Sequence, residues 1–145
     1  MVDMVAPSGQ GYVQQGLGAA DIFTSLYFAE ATMLAGAKGL DNLVFIVDYN
    51  FVQSEGPMDL VMSLEPQLDK IASFGFACQE VDGNDIGALL AAFDTARATK
   101  GKPSFIKAST LMGKGVASLE GLMFHQLRFP AEVAESARAE LEAQL

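Results

Sequence analysis

The chain has 145 residues, about the length of one domain, and half of them are hydrophobic. With only 19% charged residues it is too apolar for a disordered chain. Asp plus Glu outnumber Lys plus Arg by 18 to 9, a formal charge of −9. That balance argues against binding along a nucleic acid or on an anionic membrane surface. Small anions remain open, because backbone N–H groups and a metal ion can hold them without a basic face.

Residues 1–18 carry Pro7 and four glycines, and read as loop. Residues 19–38 predict a long helix, apolar on most faces and stopped by Gly39. Asp21 and Glu30 interrupt its apolar run, so it does not read as a membrane span. Residues 1–10 show no basic and apolar leader, which leaves a soluble, cytoplasmic protein as the expectation. The continuous apolar run 43–47 predicts a strand covered on both faces. Residues 48–66, with Gly56, Pro57 and Pro66, read as a long irregular stretch of the kind that carries function.

A helix is predicted over 66–74 and a strand over 76–81. The turn 82–85 offers Asn84 or Asp85 as cap of a helix over 86–99. A turn at 101–103 leads to a strand over 104–108, Gly113 and Gly115 open a loop, and Pro130 starts a terminal helix reaching about residue 143. Cys78 is the one cysteine, so it has no internal disulfide partner and reads as an inert, buried thiol. Strands alternating with helices imply an α/β fold: a small parallel sheet with helices on both faces and right-handed crossovers. The expected organisation is a single domain over 1–145, a loop at 1–18 and an α/β core at 19–145.

Ligands of parallel sheets bind beyond the carboxyl ends of the strands. Residues 48–55, 81–85 and 110–116 fall there. Asp48-Tyr-Asn50 offers hard oxygen donors of the kind Mg²⁺ or Ca²⁺ takes, although Asp and Asn are also ordinary turn residues after strands. The loop 110–115 brings Lys114 between two glycines, within reach of a phosphate but without Walker spacing. His125 is the single histidine, and a lone histidine is more often structural than functional.

Several of these segments together resemble the diphosphate-binding, N-terminal region of the transketolase family. The residues that carry the resemblance are Leu40-Asp-Asn-Leu-Val-Phe-Ile-Val-Asp-Tyr-Asn50, Met62-Ser-Leu-Glu-Pro66, Phe74-Gly-Phe76, Val81-Asp-Gly-Asn-Asp-Ile86, Gly101-Lys-Pro103 and Lys114-Gly-Val116. Upstream, Ser8-Gly9, Leu17-Gly-Ala-Ala-Asp-Ile22 and Leu26-Tyr-Phe28 extend it to nearly the whole chain. The resemblance implies thiamine diphosphate held through Mg²⁺ or Ca²⁺. Asn50 would ligate the metal by its side-chain oxygen and Val52 by its main-chain carbonyl. Lys114 and His125 would face the diphosphate, and Glu30 matches an interface carboxylate that couples paired active sites.

The chain also departs from the family's pattern. The block between the equivalents of Phe28 and Glu30, with the Gly-Asp-Gly half of the cofactor motif, is missing. Gln10 stands where the family has a histidine, and Gln126 where it has a glycine. The implied function is a transketolase-like subunit moving a two-carbon ketol unit between sugar phosphates, little active alone. It would need a complementary C-terminal transketolase subunit, and a homo-oligomer is expected. The alternative is a shortened, non-catalytic domain serving as an assembly or binding partner.

Overall fold

The computed structural model describes residues 31–53, 55–122 and 130–144. Helix α1 (Ala31–Ala37) leads to strand β1 (Val44–Tyr49), the hairpin β2 (Val52–Gln53) and β3 (Gly56–Pro57), and the single turn α2 (Met58–Val61). Helix α3 (Gln67–Ala72), strand β4 (Ala77–Asp82), helix α4 (Ile86–Ala98), strand β5 (Ser104–Ser109) and helix α5 (Ala131–Glu142) follow. The three long strands form a parallel sheet in the order β1-β5-β4. The last strand is thus inserted between the two earlier ones. The α/β class and the small parallel sheet expected from the sequence are what the chain adopts.

Register fixes where a ligand can sit. Tyr49 pairs with Ser109, and Asp82 pairs with Ser109, so all three strands end level at one carboxyl edge. Side chains alternate between the two faces of the sheet. One face packs Phe45, Val47, Phe105 and Cys78 with Phe76 against Ala35 of α1 and Leu68 and Ile71 of α3. The Phe45 and Phe76 rings stack there at 5.6 Å. On the other face Gln79 of β4 donates its Nε2 to the Ala92 carbonyl of α4 at 3.1 Å. Asp85 caps α4, its Oδ1 accepting from the Gly87 and Ala88 N–H groups at 2.7 and 3.1 Å.

Two readings of the sequence need correction. The strand at 43–47 was expected to be covered on both faces, yet Val44 and Ile46 are 38% and 51% exposed. Position in the sheet decides this: α4 packs on β4 and β5, and β1 lies at the sheet's edge among the described residues. The central strand β5 is the buried one, from Ser104 to Ala108. The second correction is in 48–66, where a short hairpin and one helical turn replace the irregular stretch. Cys78 is half-buried, and burial, with the Asp69 charge, pushes its thiol pKa up. It is less buried than the sequence reading expected, and the raised pKa disfavours the thiolate. Of the predicted helix 19–38 only its last part lies within the described residues. No helix among them is long and apolar enough to cross a membrane.

Candidate functional site

The carboxyl edge of the sheet is built from three turns locked to one another. After β1 the Asn50 side chain folds back, its Oδ1 accepting from the Val52 N–H at 3.0 Å. Phe51, between them, has a φ of 64°, a left-handed conformation unusual for a residue with a side chain. The turn is closed by the Met58 N–H donating to the Phe51 carbonyl at 2.9 Å. Tyr49 and Phe51 meet edge to face at 4.9 Å.

The turn after β4 is set by Gly83. A Cβ there would lie 2.5 Å from Thr110 Cγ2 and 3.0 Å from Ala108 Cβ, so only glycine lets the chains approach. Asn84 then accepts from the Leu111 N–H at 2.7 Å, tying this turn to the one after β5. Thr110 Oγ1 donates to Asp48 Oδ1 in a short hydrogen bond, which ties the β5 turn back to β1. Asp48, Asn84 and Thr110 thus fasten the edge, while Asn50 is half-buried and bonded within its own turn.

Two hollows open at this edge. One, about 520 Å³, is lined by Phe51, Asp82, Asn84, Thr110 and Lys114, together with Glu80 and Ser109. The other, about 270 Å³, is lined by Asn50, Asp59, Met58, Met112 and Gly121. Phe51 and Leu111 belong to both and form the wall between them. Asn50 and Lys114 therefore stand on opposite sides of one wall.

Lys114 is half-exposed and pairs with Glu120 at 3.2 Å. The Gly115 N–H, at 3.1 Å, and then Lys114 hold the Glu120 carboxyl below the usual range. A phosphate reaching Lys114 would meet an ammonium that already has one carboxylate partner. The glycine loop is held from the other side by α5 and the residues that follow it. Ser118 Oγ donates to Glu140 at 2.6 Å, and Gln144 Nε2 donates to the Gly115 carbonyl at 2.9 Å.

The donor set can be tested against a divalent cation. Asn50 Oδ1 gives one lone pair to Val52 and keeps the other. The residue opposite Val52 in the hairpin is Pro57, which has no N–H to give the Val52 carbonyl. Both are oxygen donors of the kind Mg²⁺ and Ca²⁺ prefer. Among the described residues no three His, Cys, Asp or Glu side chains come together as a metal cluster. The fit is to a partial site, in which diphosphate oxygens and water would complete the shell. Glu30 and His125 lie outside the described residues.

Comparison with known proteins decides the family. Residues 2–138 match the family model described as transketolase, thiamine diphosphate binding domain. The chain belongs to the transketolase family. It is 39% identical over 114 residues to a 6-deoxy-6-sulfo-D-fructose transketolase subunit of Clostridium sp. (strain MSTE9), covering 78% of this chain and 42% of that one. It is 37% identical over 93 residues to an apulose-4-phosphate transketolase subunit of Phocaeicola vulgatus, covering 64% of this chain and 33% of that one. The crystal structure of transketolase from Campylobacter jejuni superposes with a TM-score of 0.69 at 30% identity, over 77% of this chain and 18% of that one. The chain thus spans less than half the length of the curated relatives it matches.

One cluster was not singled out from the sequence. Lys107 of β5 is 5% exposed, with its ammonium 2.6 Å from Glu65, 3.3 Å from Glu80 and 4.1 Å from the centre of the Tyr49 ring. Burial opposes its charge, but the two carboxylates outweigh that and hold its pKa above the ordinary 10.5. Glu65 is held down at about 2 by Lys107 first, then by the Gln67 N–H and Tyr49. The signal available was a lysine in the middle of a strand, flanked by Phe105, Ile106 and Ala108.

Proposed function

We propose that the chain is the diphosphate-side part of a transketolase-type enzyme, which moves a two-carbon ketol unit between sugar phosphates in the cytoplasm. The observation that carries this is the turn Asn50-Phe51-Val52 at the carboxyl edge, with two oxygen donors available in the segment that matches the family. Thiamine diphosphate, when bound, supplies the carbanion chemistry, and the protein supplies position and electrostatics. Asn50 Oδ1 and the Val52 carbonyl would hold Mg²⁺ or Ca²⁺ against the diphosphate. Phe51, fixed by Tyr49, walls that turn on one side. Lys114, half-exposed and with donors to spare beside Glu120, would meet the diphosphate. We assign His125 to the diphosphate as well and Glu30 to the contact between subunits.

Both of the relatives described above are named as subunits, which supports a complementary C-terminal subunit here; a homo-oligomer of this chain is part of the same proposal. A second reading, a non-catalytic assembly partner, is favoured by the Lys114–Glu120 pair, which occupies the one lysine of the glycine loop. Calorimetric titration of thiamine diphosphate with Mg²⁺ separates the two. Binding in the parent chain that is lost in Asn50→Ala supports the enzyme reading. Absence of binding, alone and with a complementary subunit, supports the assembly partner.

A further inference from the structure

The loop that begins at Asn50 ends at Glu65, and its two ends are anchored differently. Its near end continues from β1 and closes on itself through the Val52–Pro57 pair and the bond from Met58 to Phe51. Its middle packs α2 on β2 and β3 and exposes Leu60 and Met62 by 83% and 63%. Its far end is fastened by Glu65 Oε1 to Lys107 Nζ at 2.6 Å, with Lys70 Nζ donating to the Leu64 and Glu65 carbonyls at 3.0 and 3.2 Å.

The Lys107 ammonium does more than meet one carboxylate. It lies against Tyr49, the residue before Asn50, and reaches Glu80, which also accepts from Ser109 Oγ at 2.8 Å. A single buried cation therefore touches the last residue of β1, a residue of β4 and the end of the loop. Taking such a charge out of water costs several kcal/mol, and its partners must be in place to offset that.

We propose that Lys107 is a positioning residue, a latch that holds the far end of the 50–65 loop on the sheet and so fixes the Asn50-Phe51-Val52 turn. In treating that turn as the cofactor's, the inference rests on the function proposed above; the latch itself does not need it. Amide hydrogen exchange in the full chain tests it, comparing the parent with Glu65→Gln and Lys107→Met. Releasing the latch should speed exchange at the Val52 and Met58 amides by about tenfold or more, with β4 and α4 unchanged. Should Lys107→Met fail to fold, Glu65→Gln, altered at an exposed side chain, decides the matter.

Equal protection of Val52 and Met58 in Glu65→Gln overturns the latch. So does a loss of protection spread through β4, β5 and α4, which would make the lysine a general support of the core. Where the parent binds thiamine diphosphate with Mg²⁺, affinity in Glu65→Gln should drop about fivefold or more. Faster exchange with unchanged affinity would overturn the positioning role. A parent that binds no cofactor, alone and with a complementary subunit, defeats the proposed function, and the exchange result then judges the latch separately.

Discussion

Asn50 has two duties that one substitution separates from the rest of the edge. Its side-chain oxygen accepts from Val52 N–H, so Asn50→Ala leaves that N–H without its partner and should cost about 1 kcal/mol of stability. The same substitution removes a proposed metal ligand, so cofactor and metal affinity should decrease together in a titration. Unchanged cofactor affinity would place the site elsewhere. Glu65 gives a prediction in pH. Its carboxyl is lowered from an ordinary 4.5 to about 2, chiefly by Lys107, so the unfolded chain binds the proton more readily. Stability from this group is therefore present above about 4.5 and lost as pH falls toward about 2. Acid titration of denaturant midpoints should show Glu65→Gln losing less stability than the parent across that window. Asn50 and Val52 could be named from sequence because a family motif runs through them. Lys107 and Glu65 are 42 positions apart, and nothing local to either announces the pair.

Among elements, the strands were legible because continuous apolar runs bounded by Gly, Pro and Asp leave few alternatives. Strands expected at 76–81 and 104–108 are found at Ala77–Asp82 and Ser104–Ser109. Less legible was which strand would be central, since that depends on order in the sheet, and order on long-range pairing. The run at 43–47 is as apolar as any, yet β1 carries two exposed apolar residues, Val44 and Ile46, on one face. The hairpin inside 48–66 was hidden because its strands are two residues long, too short for any period. Glycine contacts offer a sharper test at this scale. The chain of α1 passes so near the turn before β4 that a Cβ on Gly36 would lie 1.6 Å from the Phe74 carbonyl oxygen. Backbone, not a flexible side chain, is in the way. Gly36→Ala should destabilise by roughly 3 kcal/mol or more, because relief requires moving α1 off the core. A denaturation midpoint equal to the parent's would show that α1 does not pack there.

At the scale of the whole molecule, the exposed face of β1 and the missing family block point the same way. Val44 and Ile46 expose apolar surface beside a strand with no partner on its outer edge among the described residues. Such edges pair with other chains. The chain is therefore expected to sediment as an oligomer at micromolar concentration, and a clean monomer would reject this. Turnover is the larger question. Ketol transfer needs the cofactor held between two domains, and this chain matches the diphosphate-binding one. The metal donors proposed for it are an amide and a carbonyl, and no Gly-Asp-Gly, which the family resemblance leads one to expect, occurs in the sequence. Mg²⁺ keeps near-octahedral coordination, so each missing protein ligand is replaced by water and the diphosphate is held less firmly. Gln10, where a histidine is expected, can donate a hydrogen bond but cannot carry a proton near neutral pH. The isolated chain should accordingly show little or no ketol transfer with saturating cofactor and Mg²⁺, assayed with a ketose donor and an aldose phosphate acceptor. Adding a subunit that carries the second domain should raise the rate, and the rise should vanish with a chain in which Asn50 and His125 are both alanine. Activity in the isolated parent that disappears in that double variant would mean that copies of this one short domain assemble a working site by themselves.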